Sequence, residues 1–186
     1  MEGVSRPSHP PRRGPRVDPV LAETVAAVAW LTVGTLGLGA DGVGTLVLAI
    51  GIAAAVFVVV ERRRNPRTFD AARSALLLRL AGGVVVVVIV GSILLGLVSS
   101  TVFLPGIAAV ATGVALLSLF RATGERPTQW LGVAAVVLGV LSAFVSTQTD
   151  GGFASQGLLG LVLGIALLLS AADRIGMLNL LRDRAR

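Results

Sequence analysis

Six apolar runs, at residues 21–39, 43–60, 76–98, 102–120, 130–147 and 156–172, constrain this chain more than any other feature. Each has the length that an α-helix needs to cross a hydrocarbon core of about 30 Å. Some hold β-branched residues in series, such as VVVVVIV at 84–90, which in water would suit a buried strand. In lipid every backbone N–H and C=O must be satisfied within the protein, so only helices and closed barrels span a bilayer, and barrel strands alternate in polarity over about ten residues. These runs neither alternate nor stop at ten. The expected fold is all-α: an integral membrane bundle of six transmembrane helices. Composition agrees, with 54% hydrophobic and 14% charged residues and a mean hydropathy of +0.87, well outside the range of soluble domains.

The polar stretches between the runs fall into two kinds. ERRRNPRTFDAAR after the second run and RATGERPTQ after the fourth are rich in arginine, as are both ends of the chain, whereas ADG, SSTVFLPG and STQTDGGFAS contain none. All the positive side-chain charge is arginine, and it falls on one side of a six-span chain. By the positive-inside rule both termini and the two Arg-rich loops are cytoplasmic, in a multi-pass protein of the cell (inner) membrane. Residues 1–20, dense in proline and arginine and nearly free of apolar side chains, read as a disordered cytoplasmic tail. Residues 173–186 read as a cytoplasmic segment in which Ile175, Leu178 and Leu181 share a face among charges, as an interfacial helix or an extension of the sixth span. Trp130 reads as an aromatic anchor at the cytoplasmic interface.

The net charge of +6 raises nucleic acid as a partner, but the arginines flank apolar runs and lack interleaved aromatics, so no nucleic-acid binding is expected. The run at 61–67, with Arg62, Arg63, Arg64 and Arg67, suits both a topology determinant and contact with anionic lipid headgroups.

The even spans share a glycine rhythm. GTLVLAIGIAAAVF at 44, GIAAVATGVALLSLF at 106 and GLLGLVLGIALLLS at 157 pair Gly44 with Gly51, Gly106 with Gly113, and Gly157 with Gly164; Gly160 adds a GxxxG with Gly164. Ala27 with Gly34, Val84 with Gly91, and Gly132 with Gly139 give a weaker version in the odd spans. Seven residues is close to two helical turns, so each pair marks one face, about 10 Å long, where a neighbouring backbone can approach. The chain then reads as three helical-hairpin repeats, with these glycines as helix-packing positions. The rival reading, glycines lining a pore or easing a bend for transport, lacks an accompanying polar cluster.

This rhythm resembles the HdeD-like family of short-repeat membrane proteins, which has six spans arranged as repeated hairpins and a proline near the start of an even span, matched here by Pro105 before GIAAVATGVALLSLF. The resemblance covers residues 21–172. It implies a stress-associated multi-pass protein and brings no catalytic residue with it.

The residues for chemistry are sparse. The chain has no cysteine, and its one histidine, His9, sits in the Pro-rich tail, so no metal site, cofactor site or catalytic residue is expected and the protein reads as a non-enzyme. Thr32, Ser92, Thr112 and Ser142 are the mid-span polar groups, each able to bond a carbonyl one turn back. Glu23 and Arg79 lie just inside the first and third spans at matching depth with opposite sign, which suits separate snorkelling to the interface, with an ion pair between them and a substrate or proton site as the alternatives. A non-enzymatic structural or stress-associated role leads, alone, as a homo-oligomer or with a membrane-protein partner; a small transporter or channel for an ion or small solute is the alternative.

Overall fold

The computed structural model describes residues 17–38, 42–63, 69–148 and 153–177. Within these the chain is helical: α1 (Pro19–Leu38), α2 (Gly42–Arg62), α3 (Ala71–Leu97), a 3-10 turn (Thr101–Phe103), α4 (Leu104–Thr123), α5 (Arg126–Gln148) and α6 (Phe153–Arg174). All six helices are long and apolar enough to cross a membrane. The protein is thus an all-α, multi-pass membrane bundle. His9, Arg64, Arg67, Leu178 and Leu181 lie outside the described residues, as do the tail up to residue 16 and most of 173–186. Residues 17–20, read from sequence as the end of the tail, belong to the bundle, because Asp18 caps α1.

The helix ends follow local chemistry. The Asp18 carboxylate accepts from the Val20 N–H at 2.8 Å, and Asp70 accepts from the Arg73 N–H at 2.8 Å to open α3, each supplying an acceptor for a donor that a helix start leaves orphaned. Pro105 sits in the first turn of α4, where its missing N–H costs nothing. Gly124, at φ 72°, ends α4 in a left-handed cap that side-chain-bearing residues rarely adopt.

The most extensive packing joins α1 to α6 and α4 to α5, with α3 on α4, α2 on α1 and α5 on α6 as lesser seams. The closest partners therefore lie across the hairpin units read from sequence. On α1 the buried stripe runs Val20, Glu23, Thr24, Ala27, Trp30, Leu31, Gly34 and Thr35, a spacing of three and four. On α5 it is Thr128, Gly132, Ala135, Gly139, Ser142 and Ser146, all small residues.

Glycine sets how closely these stripes meet. A Cβ on Gly113 would stand 2.7 Å from the Gly132 carbonyl oxygen, and one on Gly106 would stand 2.9 Å from that of Gly139. The converse holds from α5: a Cβ on Gly139 would stand 2.7 Å from the Gly106 oxygen. Glycine hydrogens thus point at partner carbonyls on both sides of an antiparallel seam, the arrangement of Cα–H···O contacts. In the α1–α6 seam a Cβ on Gly160 would run into the backbone of Gly34, one on Gly164 would reach Leu31 Cγ at 2.6 Å, and one on Gly157 would reach the Leu38 nitrogen at 2.9 Å. Gly51 faces the tip of Leu31, 2.5 Å from such a Cβ, and Gly44 is buried. All seven glycines expected at helix contacts are buried in the bundle.

α3 differs. Ser74 is its one buried residue, and Gly82, Gly83 and Gly96 have nothing within 4 Å of where a Cβ would stand. Its foot is nonetheless fixed. The Ser74 hydroxyl accepts from the Val17 N–H at 2.9 Å, and the Phe69 N–H donates to the Val17 carbonyl at 3.2 Å.

Candidate functional site

Of the polar residues that the bundle buries, Asp18, Glu23, Thr24, Ser74, Thr128 and Ser170, the charged ones included, gather at the end carrying the starts of α1, α3 and α5 and the ends of α2, α4 and α6, while Thr35, Ser142 and Ser146 lie toward the other end. Glu23 occupies the α1 stripe one turn before Ala27, and in the antiparallel register this places it opposite the last turn of α6. There the Arg174 Nε donates to Glu23 Oε1 at 2.8 Å, and the Ser170 hydroxyl donates to Glu23 Oε2 at 3.2 Å. The same guanidinium pairs through Nη1 with Glu125 and donates through Nη2 to the Thr128 hydroxyl at 3.0 Å. Thr128, fully buried, donates to the Glu125 carboxylate at 3.4 Å. Both the Glu23 and Arg174 side chains are about nine-tenths buried.

One guanidinium therefore bridges two carboxylates and a hydroxyl, joining α1, the start of α5 and the end of α6. Arginine suits this role because its donors are fixed in a planar fork and its charge is permanent. Glu125 immediately precedes α5, where the helix dipole favours a negative charge. A second ion pair lies nearby in the fold: Arg62, in the last turn of α2, pairs with the buried Asp18 that caps α1. Both clusters hold helices together by charge.

Glu23 does not pair with Arg79. Arg174 and Ser170 take both oxygens of the Glu23 carboxylate, while Arg79 stands exposed on α3. Depth along the membrane normal matched Glu23 to several arginines; rotation about each helix axis, which places Arg174 on the inner face of α6, decides among them. The signal in the sequence was Arg174 itself, in register with the buried positions Leu163, Leu167 and Ser170. Of the arginines read as headgroup contacts, Arg62 is engaged by Asp18 and Arg63 is exposed. Trp130, expected at an interface, is 72% exposed at the start of α5.

The middle of the bundle offers no comparable cluster. Thr32 donates to the Val28 carbonyl at 2.9 Å, Ser92 to that of Val88 at 2.8 Å, and Thr112 to that of Ala108 at 2.8 Å, as their one-turn spacing predicts. Ser142 is buried, and its carbonyl accepts from the Ser146 hydroxyl at 2.8 Å. Among the described residues no group of three or more His, Asp or Glu side chains could hold a metal ion, and no buried side-chain nitrogen or oxygen lacks a partner. Comparison with family models, with curated proteins and with solved structures returns no match.

Proposed function

We propose that the protein is a non-enzymatic, structural membrane component of the cell (inner) membrane, with both termini cytoplasmic and the Glu23–Arg174–Glu125 cluster serving as a latch at its cytoplasmic end. One observation carries the reading: the buried charges of the described residues compensate one another at that end, while the mid-span hydroxyls are spent on their own helix backbones. An ion path needs polar groups at mid-depth that face a cavity and are free to exchange partners. The arginine placement supports the orientation, the seven-residue glycine spacing shared by the even spans supports a three-hairpin repeat, and the same rhythm supports a stress-associated role of the HdeD-like kind. Exposed Arg63 suits contact with anionic headgroups, and a homo-oligomer or a membrane-protein partner fits such a component.

Reconstitution into liposomes and assay of flux over a panel of ions and protons tests this. The expected result is no flux above protein-free vesicles. Flux that disappears in the Glu23→Gln, Arg174→Met double variant would overturn the structural reading and establish a transporter. Because the chain has no cysteine, single Arg63→Cys and Thr147→Cys variants probed with an impermeant thiol reagent test the orientation: Thr147→Cys labels in intact cells and Arg63→Cys does so only after lysis.

A further inference from the structure

Between α3 and the α4–α5 pair runs an open groove of about 610 Å³. It is lined by apolar residues, small ones such as Gly83, Ala111, Ala115 and Gly139 among valines and other aliphatics, with a single charged residue, Arg79, at one end. The α3 wall spans residues 79–87 and the α4 wall 106–115, so each wall is about 12–14 Å long at 1.5 Å per residue. That is close to the depth of one bilayer leaflet, about 15 Å.

Arg79 is unlike the other described arginines. Arg62, Arg73 and Arg174 have carboxylate partners, and Arg63, Arg121 and Arg126 lie at or next to helix ends. Arg79 sits more than two turns inside α3, exposed and, among the described residues, with no hydrogen-bond or ion-pair partner. A cation at the edge of hydrocarbon is stabilised by an anion at the same depth, and a guanidinium matches a phosphate diester in both charge and fork geometry. An apolar slot one leaflet deep with a phosphate-matching group at its mouth has the shape and charge distribution of a phospholipid's complement.

We propose that this groove binds one anionic phospholipid from the leaflet at the charged end of the bundle, its acyl chain lying along Gly83, Ala111 and Gly139 and its phosphate held by Arg79. The site needs only the six helices in lipid, and is independent of the role proposed above. Gly83 is the position from which to block it, because it lines the slot and a Cβ there has nothing within 4 Å.

Native mass spectrometry of the full chain, released from detergent containing phosphatidylglycerol or phosphatidylcholine, tests the site. The expected result is a one-to-one adduct with phosphatidylglycerol at least fivefold more abundant than with phosphatidylcholine. Arg79→Gln reduces that adduct at least fivefold and Gly83→Leu does likewise, while Arg126→Gln, at an exposed helix start, leaves it intact and all three variants keep the parent's melting temperature. Equal retention of phosphatidylglycerol by Arg79→Gln and the parent overturns the proposal, as does displacement of the lipid by soluble glycerol phosphate, which would make the site one for the anion alone. If Gly83→Leu shifts the oligomeric state and leaves the lipid adduct unchanged, the groove belongs to a second copy of the chain and the proposal fails.

Discussion

Glycine does opposite things in two parts of this molecule. In the α1–α6 and α4–α5 seams, Gly34, Gly160, Gly106, Gly113, Gly132 and Gly139 stand where a methyl group would meet a neighbour's backbone. On α3, Gly82 and Gly83 stand in a helix just as apolar, yet face open space. The residue type is shared, and the consequence of adding one carbon differs. In lipid, where apolar side chains gain little by leaving one apolar medium for another, tight packing distinguishes a helix held in the bundle from one that mainly faces acyl chains. The seams specify the fold, and α3 supplies an outer wall.

Four substitutions probe that contrast, each read as thermal unfolding in one detergent. The largest effect is expected from Gly160→Leu, whose side chain must displace the backbone of α1; overpacking costs about 1–3 kcal/mol and occasionally more, a leucine against backbone belongs at the upper extreme, and size-exclusion chromatography should show loss of the monodisperse species. Arg174→Met comes next, at about 3 kcal/mol, because it leaves Glu23 without its countercharge; restoration of part of that loss by adding Glu23→Gln would show that the unpaired charge is responsible. Gly113→Ala should lose about 1–3 kcal/mol through its contact with Gly132. Gly82→Ala should be neutral or stabilising by up to about 1 kcal/mol, since alanine is the better helix former and the site is open. A Gly82→Ala loss as large as that of Gly113→Ala would erase the distinction between seam and wall.

The spans were legible in the sequence because membrane crossing is a one-dimensional constraint on length and polarity. α2 begins at Gly42, α4 and its preceding turn begin at Thr101, and α6 ends at Arg174, each within a few residues of the apolar run that announced it. The seven-residue glycine spacing likewise marked the contact faces. Which helix meets which face was hidden, since Gly106 and Gly113 are compatible with any small-residue stripe and only three-dimensional packing selects Gly139 and Gly132. The charged cluster was hidden for the same reason. Glu23 was visible as an acid inside a span, but its partner lies 151 residues away, and Ser74 and Thr128 gave no sign in the sequence of being the buried hydroxyls that tie loop to helix.

The pairing of α1 with α6 also sets a schedule. At about 5–20 residues per second of synthesis, the chain between Leu38 and Phe153 takes on the order of ten seconds to make. For that interval the first helix has entered the bilayer with the stripe around Ala27, Leu31 and Gly34 lacking its α6 partner, and Glu23 has no Arg174 to meet. Lipid, or another membrane component, must occupy the seam until the last helix displaces it. A nascent chain stalled before α6 is therefore the form in which this protein is most exposed to wrong partners and to quality control.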